Sequence, residues 1–188
     1  MYHEYSPITA WSPEDNTDLR SAIKECLQVS TDCSKTSHGP IGSWDIYAVT
    51  DMRDLFVDEA KAATDPKPLP GADKFNGDLS KWEVLNVINM QSMFAFAKSF
   101  NADLSKWDVS SVSNIDAMFA EATSFNTDLS KWDMSRVNNM DSIFRQAPLL
   151  NTDLSKWAVS SVTSMDSMFA GATIFNADLS KWDVSSVT

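Results

Sequence analysis

The stretch FNADLSKWDVSSVSNIDAMFAEATS, residues 100–124, decides the fold because close copies of it recur along the chain at intervals of 25 residues. Its tryptophan recurs in every copy, and so does its first asparagine. The tryptophan ladder is Trp82, Trp107, Trp132, Trp157 and Trp182, and the asparagine ladder is Asn76, Asn101, Asn126, Asn151 and Asn176. A fixed period of this length is typical of proteins in which one supersecondary unit stacks on the next.

The repeats divide the chain into a cap and an array. Units begin at residues 75, 100, 125 and 150, and an incomplete unit occupies 175–188. A degenerate unit at 42–56 precedes them, since the run from Trp44 to Phe56 matches the run from Trp82 to Phe94. Residues 57–74, which contain three prolines, predict an insertion loop. Residues 1–41 do not fit the repeat and predict an N-terminal cap over the first apolar coil.

Two patterns alternate within each unit. Apolar residues from Val112 to Ala122 are spaced as on one face of a short helix. The segment Ser113 to Asp116 has the form of a capping box, which predicts the start of that helix. The segment from Phe100 to Trp107 favours a short extended strand. The expected fold class is therefore α/β, a solenoid of strand, turn and short-helix coils in which neighbouring coils bury each other's tryptophans.

The cap is expected to contain one amphipathic helix. Leu19, Ile23 and Leu27 form an apolar stripe with helical spacing. Cys26 and Cys33 lie seven residues apart, at the end of this helix and in the loop after it. A disulfide between them is the favoured interpretation, because two cysteines in a capping element suit an exported protein; two free thiols are the alternative.

Composition argues against several classes of function. The chain of 188 residues carries 15 basic and 26 acidic side chains, a net charge of −11, which disfavours nucleic acid as a partner. No apolar run approaches the roughly 18 residues of a membrane-spanning helix. With two histidines, two cysteines and five scattered glycines, the sequence predicts neither an active site nor a cofactor site. The N-terminal sequence shows no secretion signal.

The aspartate ladder is the most prominent candidate for a metal site. It is Asp78, Asp103, Asp128, Asp153 and Asp178. Carboxylates in register could bind calcium between coils, but a lysine follows each aspartate by three residues. Turn capping with ion pairing is the favoured interpretation, and calcium is the alternative. A metal site at Cys33 and His38 is disfavoured, because a structural zinc site needs four ligands.

Residues that differ between units, while the frame repeats, are the candidates for contact with a partner. The partner-binding candidates are Phe96, Lys98, Arg136, Arg145 and Gln146. The C-terminal edge, residues 178–182, is expected to be covered by further chain or by a neighbour, since an unpaired edge favours association.

The sequences SKWDVSSVSNIDAMF from Ser105 and SKWAVSSVTSMDSMF from Ser155 resemble the repeats of BspA-like surface proteins, relatives of the leucine-rich repeat found in bacteria and protists. The resemblance covers residues 42–188. It implies a solenoid of the leucine-rich-repeat type, located outside the cell or on its surface.

The expected function is non-catalytic, either protein binding and adhesion at a cell surface or a structural role in a larger assembly. The alternative is a regular surface that binds a repetitive ligand such as a polysaccharide, a mineral or ice, with or without calcium. The pair Ser110 and Ser111 recurs as Ser160 and Ser161, but Ser135 and Arg136 interrupt this ladder.

Overall fold

The computed structural model describes residues 10–58 and 67–188. In this part of the chain, the secondary structure is confined to the N-terminal cap and the insertion. Helix α1 is Asn16–Val29, and short 3₁₀ helices lie at Ile41–Ser43 and Ala72–Lys74. Strands β1, Val57–Asp58, and β2, Lys67–Pro68, pair in antiparallel fashion, with Val57 opposite Pro68. Part of the insertion loop predicted at 57–74 and the first residues of the predicted cap lie outside the described residues.

Helix α1 lies against the first coil. The Asp15 side chain accepts a hydrogen bond from the Asp18 amide at 3.0 Å, an N-cap that satisfies one of the free amides of the first turn. Leu19 and Ile23 are fully buried in the same apolar core as the coils. The side-chain amide of Asn16 donates to the carbonyls of Asp51 and Arg53 in the degenerate unit. The helix therefore covers the N-terminal end of the stack, and it holds the disulfide between Cys26 and Cys33.

The repeats contain neither the helices nor the strands that their sequence predicts. Residues 112–122 form successive turns, and residues 100–107 form an irregular stretch with one turn. Strand-like pairing between neighbouring coils is limited to isolated parallel bridges, which join Asp51 to Asn89, Asn89 to Asn114, Asn114 to Asn139 and Asn139 to Ser164. The prediction of an α/β solenoid of strand, turn and short-helix coils is wrong, and so is the leucine-rich-repeat architecture that the resemblance implied. Each coil of this stack is built from turns.

The hydrogen-bond acceptors of the backbone amides explain why no helix forms. In an α-helix each amide donates to the carbonyl four residues earlier. Here the amides of Ala117 and Phe119 donate to carbonyls of the next coil, those of Asp141 and Ile143, at 2.8 and 3.0 Å. Alternate amides, such as that of Met118, close turns onto the carbonyl three residues earlier. Half of the donors of this segment thus serve the contact between coils.

The segment that resembles a capping box, Ser113 to Asp116, forms a turn closed by a side chain instead of starting a helix. The Asn114 side chain accepts a hydrogen bond from the amide of Asp116 at 2.9 Å, two residues on, and Asn139 repeats this contact with Asp141. Asparagine commonly closes such a turn, and this local bond competes with helix formation.

Aromatic side chains stack from coil to coil in the core. The rings of Phe94, Phe119 and Phe144 follow one another with centroids 5.7 and 5.9 Å apart. The indoles of Trp107 and Trp132 are parallel at 6.3 Å. Each ladder indole also donates its N–H to a carbonyl. The four inner ladder tryptophans are 3–4% exposed. Their burial depends on a neighbour of the same shape, because one coil cannot enclose them.

The last coil shows what this neighbour contributes. Phe169 and Trp182 are only partly buried, whereas the equivalent Phe144 and Trp157 are 0% and 3% exposed. The side chains are of the same types, so the difference in exposure comes from the following coil, which covers Phe144 and Trp157.

Replacement of Trp132 by alanine tests the stacking. It removes an indole between two coils and its 3.1 Å hydrogen bond to the Leu104 carbonyl. We expect the free energy of unfolding to fall by about 3–5 kcal/mol, measured by urea denaturation followed by circular dichroism. Trp182→Ala is the matched control, with a smaller expected loss because Trp182 is covered on one side only. Equal losses for the two variants would contradict the mutual burial of the coils.

Replacement of Ala117 by glycine tests the left-handed turns. Ala117 has a φ of 53°, in the region that favours glycine. This backbone costs an alanine about 1–2 kcal/mol, which glycine avoids, while glycine loses about 0.5–1 kcal/mol through the entropy of the unfolded chain. We expect stability to be unchanged or raised by up to about 1 kcal/mol. The control Ala122→Gly, at a buried position without positive φ, should lose about 1 kcal/mol or more. An equal loss of stability in both variants would contradict the claim that the left-handed backbone at Ala117 favours glycine.

Candidate binding groove

The left-handed turns bring residues from successive coils into register on one face of the stack. Positive φ angles recur in two rows that run across the coils, and no glycine occupies either row before Gly171. One row is Asp54, Ser92, Ala117, Ser142 and Ser167, and the other includes Phe96, Glu121, Gln146 and Gly171. Between them lies a row of small side chains, Val57, Ala95 and Ala120, which Arg145 interrupts before Ala170.

These rows form an open groove of about 320 Å³. Its floor is apolar, because Val57, Ala95 and Ala120 are 1–3% exposed and pack together, with Phe96 and Ala117 against them. The groove exists because alanine side chains stop at Cβ where a longer side chain would fill the space. We call this feature the binding groove.

One wall of the binding groove carries a half-buried carboxylate. The side-chain amide of Gln91 donates to Oδ2 of Asp116 at 3.1 Å. Burial raises the pKa of Asp116, and the neighbouring charges of Asp141 and Asp54 add to this effect, while the Gln91 hydrogen bond opposes it. The ionised form of Asp116 is therefore less favourable than in water.

Arginines lie at the two ends of the binding groove. The guanidinium of Arg20, on helix α1, donates to the carbonyls of Asp54 and Val57. At the other end, Nη2 of Arg145 lies 3.2 Å from Oε1 of Glu121, and both side chains are partly exposed. The groove is thus bounded along the stack by an arginine anchored to backbone and an arginine paired with a carboxylate.

The structure brings together two of the five partner-binding candidates. Phe96 and Arg145 both line the binding groove. Gln146 lies in the same row as Phe96 but outside the groove, where its side chain occupies the space that a Cβ at position 171 would need. Lys98 and Arg136 are exposed and do not line the groove.

Sequence reasoning missed the remaining lining residues, Gln91, Ala95, Asp116 and Ala120 among them. The available signal was the change from alanine to arginine at Arg145, because it shows that Ala95 and Ala120 occupy positions that can hold a long side chain.

The two polar ladders lie elsewhere and have local roles. The Asn101 side chain accepts a hydrogen bond from the Asn126 amide of the next coil at 2.8 Å, and the other asparagines repeat this bond. Each ladder aspartate accepts a hydrogen bond from the amide of the serine two residues on. These serines lower the pKa of the aspartates more than the lysines do. The ladder aspartates therefore close turns.

Cys33 and His38, the two residues weighed as metal ligands, each have another partner. Cys33 is bonded to Cys26, and the His38 ring packs at 4.2 Å from the Trp11 ring. Within residues 10–58 and 67–188, no three His, Cys, Asp or Glu side chains converge where they could hold a metal ion. In the same ranges, no helix is both long and apolar enough to cross a bilayer.

Comparison with known proteins identifies a family. The chain matches the family described as "Mycoplasma protein of unknown function, DUF285" over residues 4–68, 24–147 and 127–188, which together span nearly its whole length. No curated protein and no solved structure matches the chain significantly.

Replacement of Asp116 by asparagine tests the electrostatics of the binding groove. The pKa of Asp116 is raised in the folded protein, so the ionisation of Asp116 opposes folding at neutral pH. This cost disappears as the pH falls below 3.8, the pKa of an aspartate in the unfolded chain. Asparagine keeps an oxygen that can accept from Gln91. We therefore expect Asp116→Asn to raise the free energy of unfolding at pH 7 and to have little effect near pH 3, measured by urea denaturation.

The matched control is Asp128→Asn, which is expected to change the free energy of unfolding in the opposite direction. Hydrogen bonds from Ser130 lower the pKa of Asp128, so its carboxylate stabilises the fold above pH 3.8, and this contribution is lost as the pH falls through the lowered pKa. At pH 7 this variant should lose stability. A lower free energy of unfolding for Asp116→Asn at pH 7 would contradict the conclusion that ionised Asp116 destabilises the fold.

Proposed function

Since the chain belongs to the DUF285 family, whose function is unknown, we propose its function from its own surface: it is a non-catalytic repeat protein that binds another protein through the binding groove. It acts in adhesion at a cell surface or as a component of a larger assembly. The observation that carries this proposal is a groove of about 320 Å³ with an apolar floor, on the face where the coils differ from one another.

The stacking of the coils does not require the aromatic side chain of Phe96. The position of Phe96 holds glutamate, glutamine and glycine in the next three units, and all four residues adopt the same left-handed backbone. An aromatic side chain at this position is therefore not a requirement of the turn. Aromatic residues and arginine are enriched at the centres of protein interfaces, so Phe96 and Arg145 suit a contact surface.

A second exposed apolar surface supports a protein partner. Tyr47, Leu85 and Ile88, here called the apolar corner, are 59%, 47% and 53% exposed. Tyr47 and Leu85 occupy the same position in adjacent coils, where later coils have serine. Exposed apolar side chains in neighbouring coils are typical of interaction sites.

A location outside the cytosol has two supports. The repeats resemble those of BspA-like surface proteins, and the disulfide between Cys26 and Cys33 is of a kind that persists in oxidising environments. Both fit a protein that meets its partner at the cell surface.

Site-specific photo-crosslinking tests this function in its native setting. A photoreactive amino acid replaces Phe96 in the full chain, which is expressed in its source cells, and the crosslinked products are identified by mass spectrometry. We expect one protein to be captured reproducibly. The matched control carries the same photoreactive residue at Gln146, in the same row with the same backbone conformation but outside the groove.

A blocking variant makes the result specific. Ala120→Arg places in the groove a side chain that the chain itself carries one coil later, at Arg145. It should abolish the crosslink from position 96, while Ala170→Arg, in the same row at an exposed position, should leave it intact. The absence of a reproducible product, or a product that persists with Ala120→Arg, would refute binding through the groove.

A further inference from the structure

The size of the binding groove limits what it can hold. Pockets for drug-sized ligands and cofactors measure about 300–1,000 Å³, and the groove, at about 320 Å³, is at the lower limit and open to solvent. It has room for one or two side chains of a protein segment that crosses the face of the stack. This inference rests on the proposed function and concerns the chemistry of the partner.

The charges around the groove are complementary to a cation. Asp54 and Asp116 line it, and Asp141 follows Asp116 in the same row of the next coil. Arg145 also lines it, but the charge of Arg145 is paired with Glu121 at 3.2 Å. Carboxylates therefore outnumber guanidinium groups around the groove even when Arg20 at its end is counted.

Asp116 is the group that a cation would contact. Oδ2 accepts one hydrogen bond from Gln91, and a carboxylate has about four acceptor positions. The side chain is half-buried next to the apolar floor, where a charged hydrogen bond is stronger than in water. The raised pKa of Asp116 agrees with this picture, because an incoming positive charge would offset the cost of ionisation.

The floor and Phe96 suit the rest of a basic side chain. Lysine and arginine place their methylene groups along apolar surfaces while the charged end reaches a polar partner. Ala117, which is partly exposed and packs on the buried Ala95 and Ala120, provides such a surface beside Asp116, and Phe96 borders it with an aromatic ring, which attracts cations. Arg145, which occupies the row of Ala95 and Ala120, also pairs its guanidinium with a carboxylate, that of Glu121, at 3.2 Å.

We propose that the binding groove accommodates a basic side chain of an extended segment of the partner protein, with its methylene groups on the apolar floor at Ala117 and Phe96 and its charge against Asp116.

Titration of the full chain with defined peptides tests this inference. The probe is a short acetylated and amidated peptide of alternating alanine and valine with one central lysine, and its counterparts carry glutamate or norleucine at the centre. Binding is followed by NMR of the alanine methyl groups. We expect the lysine peptide to shift the methyl signals of Ala95, Ala117 and Ala120 and to bind at least about tenfold more tightly than either counterpart.

Two pairs of variants locate the binding. Asp116→Asn should weaken the lysine peptide about tenfold, as expected when one charged hydrogen bond is lost, whereas Asp166→Asn, in the same row but outside the groove, should have no effect. Ala120→Arg should abolish binding, and Ala170→Arg should not. Circular dichroism melting curves show whether each variant is folded.

Several results would overturn the inference. Equal binding of the norleucine peptide would show an apolar site without charge recognition, and n-butylamine bound as tightly as the peptide would show a site for small amines. An unchanged affinity in Asp116→Asn would exclude this carboxylate. If no peptide binds but the crosslink from position 96 is still obtained, the groove has a partner of other chemistry, and the proposed function survives without this inference.

Discussion

Hydrogen bonds between the backbones of successive coils are the constraint on which the rest of the structure depends. The amides of Ile115, Ala117, Phe119 and Glu121 all donate to carbonyls of the next coil, at 2.7–3.2 Å. These bonds hold the coils at a distance at which the phenylalanine and tryptophan rings stack with centroids about 6 Å apart. They also require left-handed residues at fixed positions, and those residues line the groove on both sides of the buried alanine row. The core and the groove thus follow from one backbone pattern.

The period of the array could be predicted from the sequence, but the secondary structure of each unit could not. The spacing of Val112, Ile115, Met118 and Phe119 is compatible with a helix and equally with turns that bury every third or fourth residue. Helix prediction assumes that amides bond within the segment, and nothing local in the sequence shows that they bond to the next coil. The left-handed positions could not be recognised from the sequence either, because in the two rows only Gly171 is glycine and the other residues include alanine, serine, phenylalanine and glutamate.

The candidate site was predictable where the chain departs from its repeat and unpredictable where it follows it. Phe96 and Arg145 differ from their equivalents, so comparison of the units identified them. Asp116 belongs to a regular row with Asp141 and Asp166, and its role depends on being half-buried beside Gln91, which replaces aspartate in one unit only. The substitution at Gln91 is visible in the sequence, but its consequence for Asp116 requires the register of the two coils.

Two rows of aspartates show how position within a coil decides the chemistry of one residue type. At Asp128 the hydrogen bonds of a following serine lower the pKa, and the exposed carboxylate closes a turn. At Asp116 burial and a like charge in the next coil raise the pKa. Coil stacking brings identical charges together in both rows. At Asp128 the Ser130 donors offset the repulsion, whereas at Asp116 the Gln91 hydrogen bond offsets only part of the rise in pKa. The carboxylate of the binding groove is therefore ionised at a cost to the fold, and a cationic partner is what would remove that cost.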